Sequence, residues 1–114
     1  MNVYYNVEIQ MARKNRITEE ILNDIALNLG ATASDVDECE TYRAVLFFKS
    51  EIKPGEMRSL IRAYFRENPD EHIHYFDVIY RWETEMNADR FVIWSDGETQ
   101  EFTGKMIFEE DTVR

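Results

Sequence analysis

The chain of 114 residues carries 13 Lys+Arg against 23 Asp+Glu, a formal net charge of −10. Such a field disfavours nucleic acid and anionic membrane as direct partners and favours basic ones. A hydrophobic fraction of 44 %, with 13 % aromatics, suffices for a core and excludes charge-driven disorder, while the single Cys39 excludes an internal disulfide or a Cys-based metal site.

Residues 3–11 alternate Val3, Tyr5, Val7, Ile9, Met11 with Tyr4, Asn6, Glu8, Gln10, and a period of two predicts a strand with one buried face. A basic turn, Arg13-Lys14-Asn15-Arg16, leads to a helix with Thr18 as N-cap. Glu19 and Glu20 suit its first turn, Ile17 can staple onto Leu22, and Gly30 closes it. Asp35–Glu40 reads as a short acidic edge strand, and Tyr42–Lys49, apolar on both faces, as a central one. Pro54 opens a second helix whose stripe is Met57, Leu60, Ile61, Tyr64 and Phe65; Asn68-Pro69 ends it.

The remainder is strand-rich. Ile73–Trp82 is a long strand with faces Phe76/Val78/Tyr80/Trp82 and Ile73/Tyr75/Ile79, followed by a polar loop, Glu83–Asp89. Phe91–Ser95, an Asp96-Gly97 type I′ turn and Glu98–Phe102 form a hairpin. Gly104 suggests a bulge or break before Met106-Ile107-Phe108, with a frayed tail at Glu109–Arg114. The order β-α-β-β-α-β plus a hairpin predicts one α+β domain over residues 1–114: a ferredoxin-like antiparallel sheet with two helices on one face. The hairpin either extends the sheet or folds over it. No run approaches a membrane span and the first residues lack a signal-peptide pattern, so a cytoplasmic protein is expected.

Few constellations carry chemistry. His72 and His74 flank Ile73 at a usable ligand spacing, but the chain holds no third His, and no tightly bound metal is expected. Arg58, Arg62 and Arg66 recur every four residues along the second helix, a row that could grip phosphates, but the acidity of the chain and the lack of an aromatic-plus-basic platform favour a solvated face paired with nearby acids. Cys39 sits among acids, which makes it a poor nucleophile. No nucleophile elbow, phosphate loop, dinucleotide fingerprint or calcium loop is present, so no enzyme and no cofactor is expected.

The charge is unevenly spread. Residues 70–111 carry twelve acids against three bases, Arg81, Arg90 and Lys105. The expected role is therefore protein binding. Glu83, Glu85, Asp89, Asp96, Glu98 and Glu101, with Asp35, Asp37, Glu38 and Glu40 second, are the candidate residues for engaging a basic surface, such as the nucleic-acid-binding groove of a nuclease or defence complex. In size, acidity and lack of catalytic motif the chain is similar to phage-encoded inhibitors and to immunity proteins of nuclease toxins. The alternative is a regulatory or small-ligand-binding domain, dimeric through the sheet face that two helices leave open. Val45, Phe47, Tyr75 and Ile79 are expected to be buried on that face, by the C-terminal segment or a second subunit.

Overall fold

The computed structural model describes residues 1–106, with side chains as far as Glu101. Strand β1 (Val3–Met11) lies between β3 (Arg43–Ser50) and β4 (Ile73–Trp82), and all three are antiparallel neighbours. With β2 (Val36–Cys39), β5 (Ala88–Trp94) and β6 (Thr99–Met106) they form one six-stranded sheet in the order β2-β3-β1-β4-β5-β6. Every adjacent pair is antiparallel, and the C-terminal hairpin extends the sheet instead of folding over it.

Helices α1 (Glu19–Asn28) and α2 (Pro54–Glu67) join one face of this sheet in a single core. Register explains which residues meet there. Val7 stands opposite Leu46 and Val78, and Phe91 opposite Val78, so the odd positions of β1 and β5 and the even ones of β3 and β4 share that face. Ile25 from α1 and Leu29, which caps its end, and Met57 and Ile61 from α2, are fully buried against them. The ring of Phe65 meets Phe76 edge-on at 5.2 Å. Burying such apolar surface drives the docking of both helices.

The helix ends follow their sequence signals. Thr18 Oγ1 accepts the Ile21 N–H at 3.1 Å, satisfying a donor that the first turn leaves free. Gly30, at φ 77°, takes the left-handed conformation that ends α1. Pro54 occupies the first turn of α2 and Asn68 caps its end.

Several expectations are corrected. Ala33–Asp35 is a 3-10 turn, so β2 starts at Val36; Asp35 Oδ2 accepts the Thr32 N–H at 2.8 Å, which draws Asp35 into a cap. Strand β3 runs one residue later than expected, from Arg43 to Ser50. Strand β5 begins at Ala88, fully buried opposite Met106, which shortens the preceding loop. The hairpin turn is not type I′, because Gly97 is left-handed (φ 91°) and Asp96 is not. Trp94 N–H donates to Glu98 O and Gly97 N–H to Trp94 O, closing a three-residue loop that ends in a left-handed glycine. The register shift against β5 falls between Phe102 and Met106, around Gly104. Ile73 does not share the Tyr75/Ile79 face. Gln10 pairs with Tyr75 but Met11 with Ile73, so the extra residue, His74, turns Ile73 into the core beneath the helices. The expected strand end at Ile107-Phe108 and the tail at Glu109–Arg114 lie outside the described residues.

The opposite face carries neither helix. Val45 is buried there, while Phe47, Tyr75 and Ile79 are half-buried. Their shielding comes in part from a lattice of charged neighbours on the same face. Asp77 holds Arg90 by two hydrogen bonds of 2.8 and 2.7 Å. Glu8 accepts the Tyr75 hydroxyl at 3.0 Å and pairs with Arg43 at 3.3 Å. Arg81 lies over the Tyr4 ring, 4.9 Å from its centroid.

Candidate functional site

Antiparallel pairing gives the sheet two ends of different character. At one end Val3 stands opposite both Ser50 and Trp82, and the loop joining β4 to β5 projects past them. Its backbone is fixed: Glu83 N–H donates to Asn2 O, Glu85 N–H to Trp82 O, and Arg81 Nη1 to Glu85 O. Glu83, Glu85 and Met86 stand out from this frame, and Met86 is 91 % exposed. Among the described residues neither carboxylate pairs with a Lys or Arg; Glu83 accepts only the Asn2 N–H, at 3.3 Å.

The other sequence-predicted acids are dispersed. Asp35, Asp37, Glu38 and Glu40 lie on or beside β2, at the opposite edge of the sheet from β6. Asp35 is a cap, and Glu38 and Glu40 approach Arg43 at 2.7 and 3.8 Å. Asp89 is half-buried beside Tyr80, whose hydroxyl pKa is raised by burial first and by Asp89 second. Asp96 and Glu98 sit at the far end of the hairpin from Glu83, and Asp96 Oδ1 accepts the Glu98 N–H at 3.0 Å. Glu101 faces α2, where Arg58 Nε lies 3.0 Å from it without hydrogen-bond alignment, so the contact is Coulombic. The structure thus brings Glu83 and Glu85 together and sets the remaining acids elsewhere, several of them neutralised within the fold.

The basic row on α2 divides similarly. Arg58 pairs with Glu101 and covers the Phe91 ring at 4.6 Å. Arg62 donates to Thr99 Oγ1 at 2.9 Å. Arg66 has no such partner among the described residues.

The second end of the sheet holds features that periodicity in the sequence did not show. Arg13, Lys14 and His72 all have positive φ, at 53°, 62° and 55°. For residues other than glycine that conformation costs about 1–2 kcal/mol each. Ala12 N–H donates to His72 O at 2.8 Å, tying the two strained segments together. Three hollows adjoin here, each lined in part by Ser95. His72 and His74 are exposed, and no group of three or more His, Cys, Asp or Glu among the described residues is placed to hold a metal ion. Cys39 is exposed on the edge strand. No helix among the described residues is long and apolar enough to cross a membrane.

No family model, curated protein or solved structure matches this chain.

Proposed function

We propose that the protein is a non-enzymatic, protein-binding inhibitor that presents Glu83, Glu85 and Met86 to a basic surface of another protein, of the kind that normally holds nucleic-acid phosphates. One observation carries this reading: a large apolar side chain, Met86, is held in solvent next to Glu85 on a hydrogen-bonded loop whose two carboxylates, Glu83 and Glu85, have no basic partners among the described residues. A flexible thioether anchor with a charged rim suits a protein interface. Carboxylates steer the encounter and occupy positions that phosphates would take. An inhibitor of phage or immunity-protein type, acting in the cytoplasm, fits this chemistry. The four strands β2-β3-β1-β4 with both helices on one side are read as a ferredoxin-like unit extended by a hairpin, an architecture that leaves function open.

A second reading, a regulatory domain dimerising through the open sheet face, is favoured by the half-buried Phe47, Tyr75 and Ile79 there. Binding kinetics separate the two. For a partner captured on the immobilised protein, the association rate should fall steeply with salt while dissociation changes less. Glu83→Lys with Glu85→Lys should weaken binding far more than Glu19→Lys with Glu20→Lys, which makes the same change in net charge at the start of α1. A nucleic-acid duplex should compete for the partner. Equal losses in the two charge-reversal pairs, or no competition, would remove the phosphate-mimicking surface. A stable homodimer broken by Phe47→Glu would favour the second reading.

A further inference from the structure

We infer that the end of the sheet opposite the Glu83–Met86 loop is a binding groove for a small ligand bearing a phosphate monoester. Three adjoining hollows of about 270, 340 and 420 Å³ share Ser95 in their linings. Arg62 and Arg66 line the first, Arg13 and His72 the second, Arg13 and His74 the third. Among the described residues, the only carboxylate lining any of them is Asp96, and its Oδ1 is already engaged by the Glu98 N–H. In a chain of net charge −10 the lining itself holds more basic than acidic groups, with Glu67, Asp70 and Glu71 next to it in sequence.

The lining chemistry selects the ligand. Guanidinium forks bind phosphate oxygens with paired hydrogen bonds, and imidazole and hydroxyl groups add donors from other directions. The side chains of Arg13 and Arg66 make no ion pair or hydrogen bond with a described residue, so both guanidinium groups are available. The side chain of Arg13 is exposed, and nothing in the packing calls for arginine where the backbone, at φ 53°, favours glycine. Backbone held in such conformations gathers at ligand sites. The hollows suit a small molecule. Size favours a small ligand over a polynucleotide: a compact dianion senses charges within roughly 8 Å, whereas a long polyanion also reaches the more distant acids of the surface.

The test is an amide-resolved NMR titration with inorganic phosphate, ribose 5-phosphate and a short single-stranded oligonucleotide. Saturable shifts are expected with the two phosphates, confined to Arg13–Asn15, Phe65–Arg66, His72–His74 and Ser95–Gly97. Arg13→Gly removes the guanidinium while relieving the backbone, so affinity should fall about tenfold with the melting temperature unchanged or raised. Arg66→Gln, at a helical position without strain, should weaken binding similarly. Lys49→Gln with Lys53→Gln, near the other end of the sheet, should leave affinity unchanged. Non-saturating shifts scattered over the surface, or equal losses in the Lys49/Lys53 pair, overturn the site. An oligonucleotide that binds the same amides more tightly than ribose 5-phosphate overturns the small-ligand assignment. Glu83→Lys with Glu85→Lys should not change phosphate binding, so failure of the protein-binding reading is scored separately.

Discussion

Gly30→Ala probes how the end of α1 meets the segment leading into α2. Two effects are combined at this position. The left-handed backbone, φ 77°, disfavours any Cβ by about 1–2 kcal/mol. A Cβ built there would also lie 2.7 Å from Ile52 Cδ1, with the next nearest atom, Ile52 Cγ1, at 4.0 Å. The terminal methyl of Ile52 can rotate away, but an off-rotamer side chain costs about 0.5–1.5 kcal/mol. Ile52 is constrained, because it packs on the core and its carbonyl accepts the Tyr5 hydroxyl. Gly30→Ala should therefore cost about 2–3 kcal/mol, a large part of a small domain's stability. Ile52→Val deletes Cδ1 and by itself costs about 0.5–1.5 kcal/mol. In that background the Gly30→Ala cost should shrink by about 1 kcal/mol, leaving only the backbone contribution. Urea titrations of the four proteins, followed by circular dichroism, give the cycle from shifts in midpoint at constant slope. The same cost in both backgrounds would refute the contact, and no cost in either would refute the left-handed turn.

Two further outcomes are expected. Ile61→Ala, at a fully buried position on α2, should cost about 2–5 kcal/mol and its half-buried neighbour Leu60→Ala clearly less; the reverse order in urea titrations would mean that α2 is rotated on the sheet. Stability should also decline above pH 10. Burial, then the hydrogen bond to Glu8 and nearby negative charge, pushes Tyr75 up to about 12, and burial likewise raises Tyr5, Tyr64 and Tyr80. Tyrosines of the unfolded chain ionise near 10, so the unfolded state loses protons first and gains stability as pH rises through that window. Tyr75→Phe should flatten part of the decline in urea midpoints measured from pH 8 to 12, and a flat wild-type profile would contradict the shifts.

Much of the architecture is written in short-range patterns. The alternation of Val3 to Met11, the stripe of Met57, Ile61 and Tyr64, and the signals at Thr18, Gly30 and Pro54 each act within a few residues, so they are legible without knowing the fold. Pairing is not local. The bulge that rotates Ile73 into the core depends on how β4 lies against β1, and strict alternation therefore places Ile73 on the wrong face. The three-residue turn at Ser95–Gly97 is missed for a related reason: Asp96-Gly97 suits a two-residue turn, but the pairing of Ile93 with Thr99 fixes a longer one. The strained group at Arg13, Lys14 and His72 has little sequence signature, since Arg and Lys rarely take positive φ and the enrichment of His there is far weaker than that of glycine.

Charge shows the same gap between a linear census and a surface. The run from residue 70 to 111 looks like one acidic face, yet Asp77 is held by Arg90, Glu101 lies against Arg58, and Asp96 closes a turn. On the far edge Glu38 and Glu40 gather around Arg43, which also pairs with Glu8 on β1. One-to-one pairs such as Asp77–Arg90 and Glu101–Arg58 contribute little field at a distance, whereas Glu8, Glu38 and Glu40 share a single guanidinium and Asp96 engages only a backbone N–H. The two proposals draw on groups that make no ion pair among the described residues: Glu83 and Glu85 beyond one end of the strands, Arg13 and Arg66 at the other. A macromolecular partner spans several screening lengths and responds to the net negative charge, so it is steered by the whole molecule toward the exposed carboxylates. A small dianion senses only the side chains that line its groove. In the two proposals, net charge and local lining select different ligands at opposite ends of one sheet, so the two proposed sites need not compete.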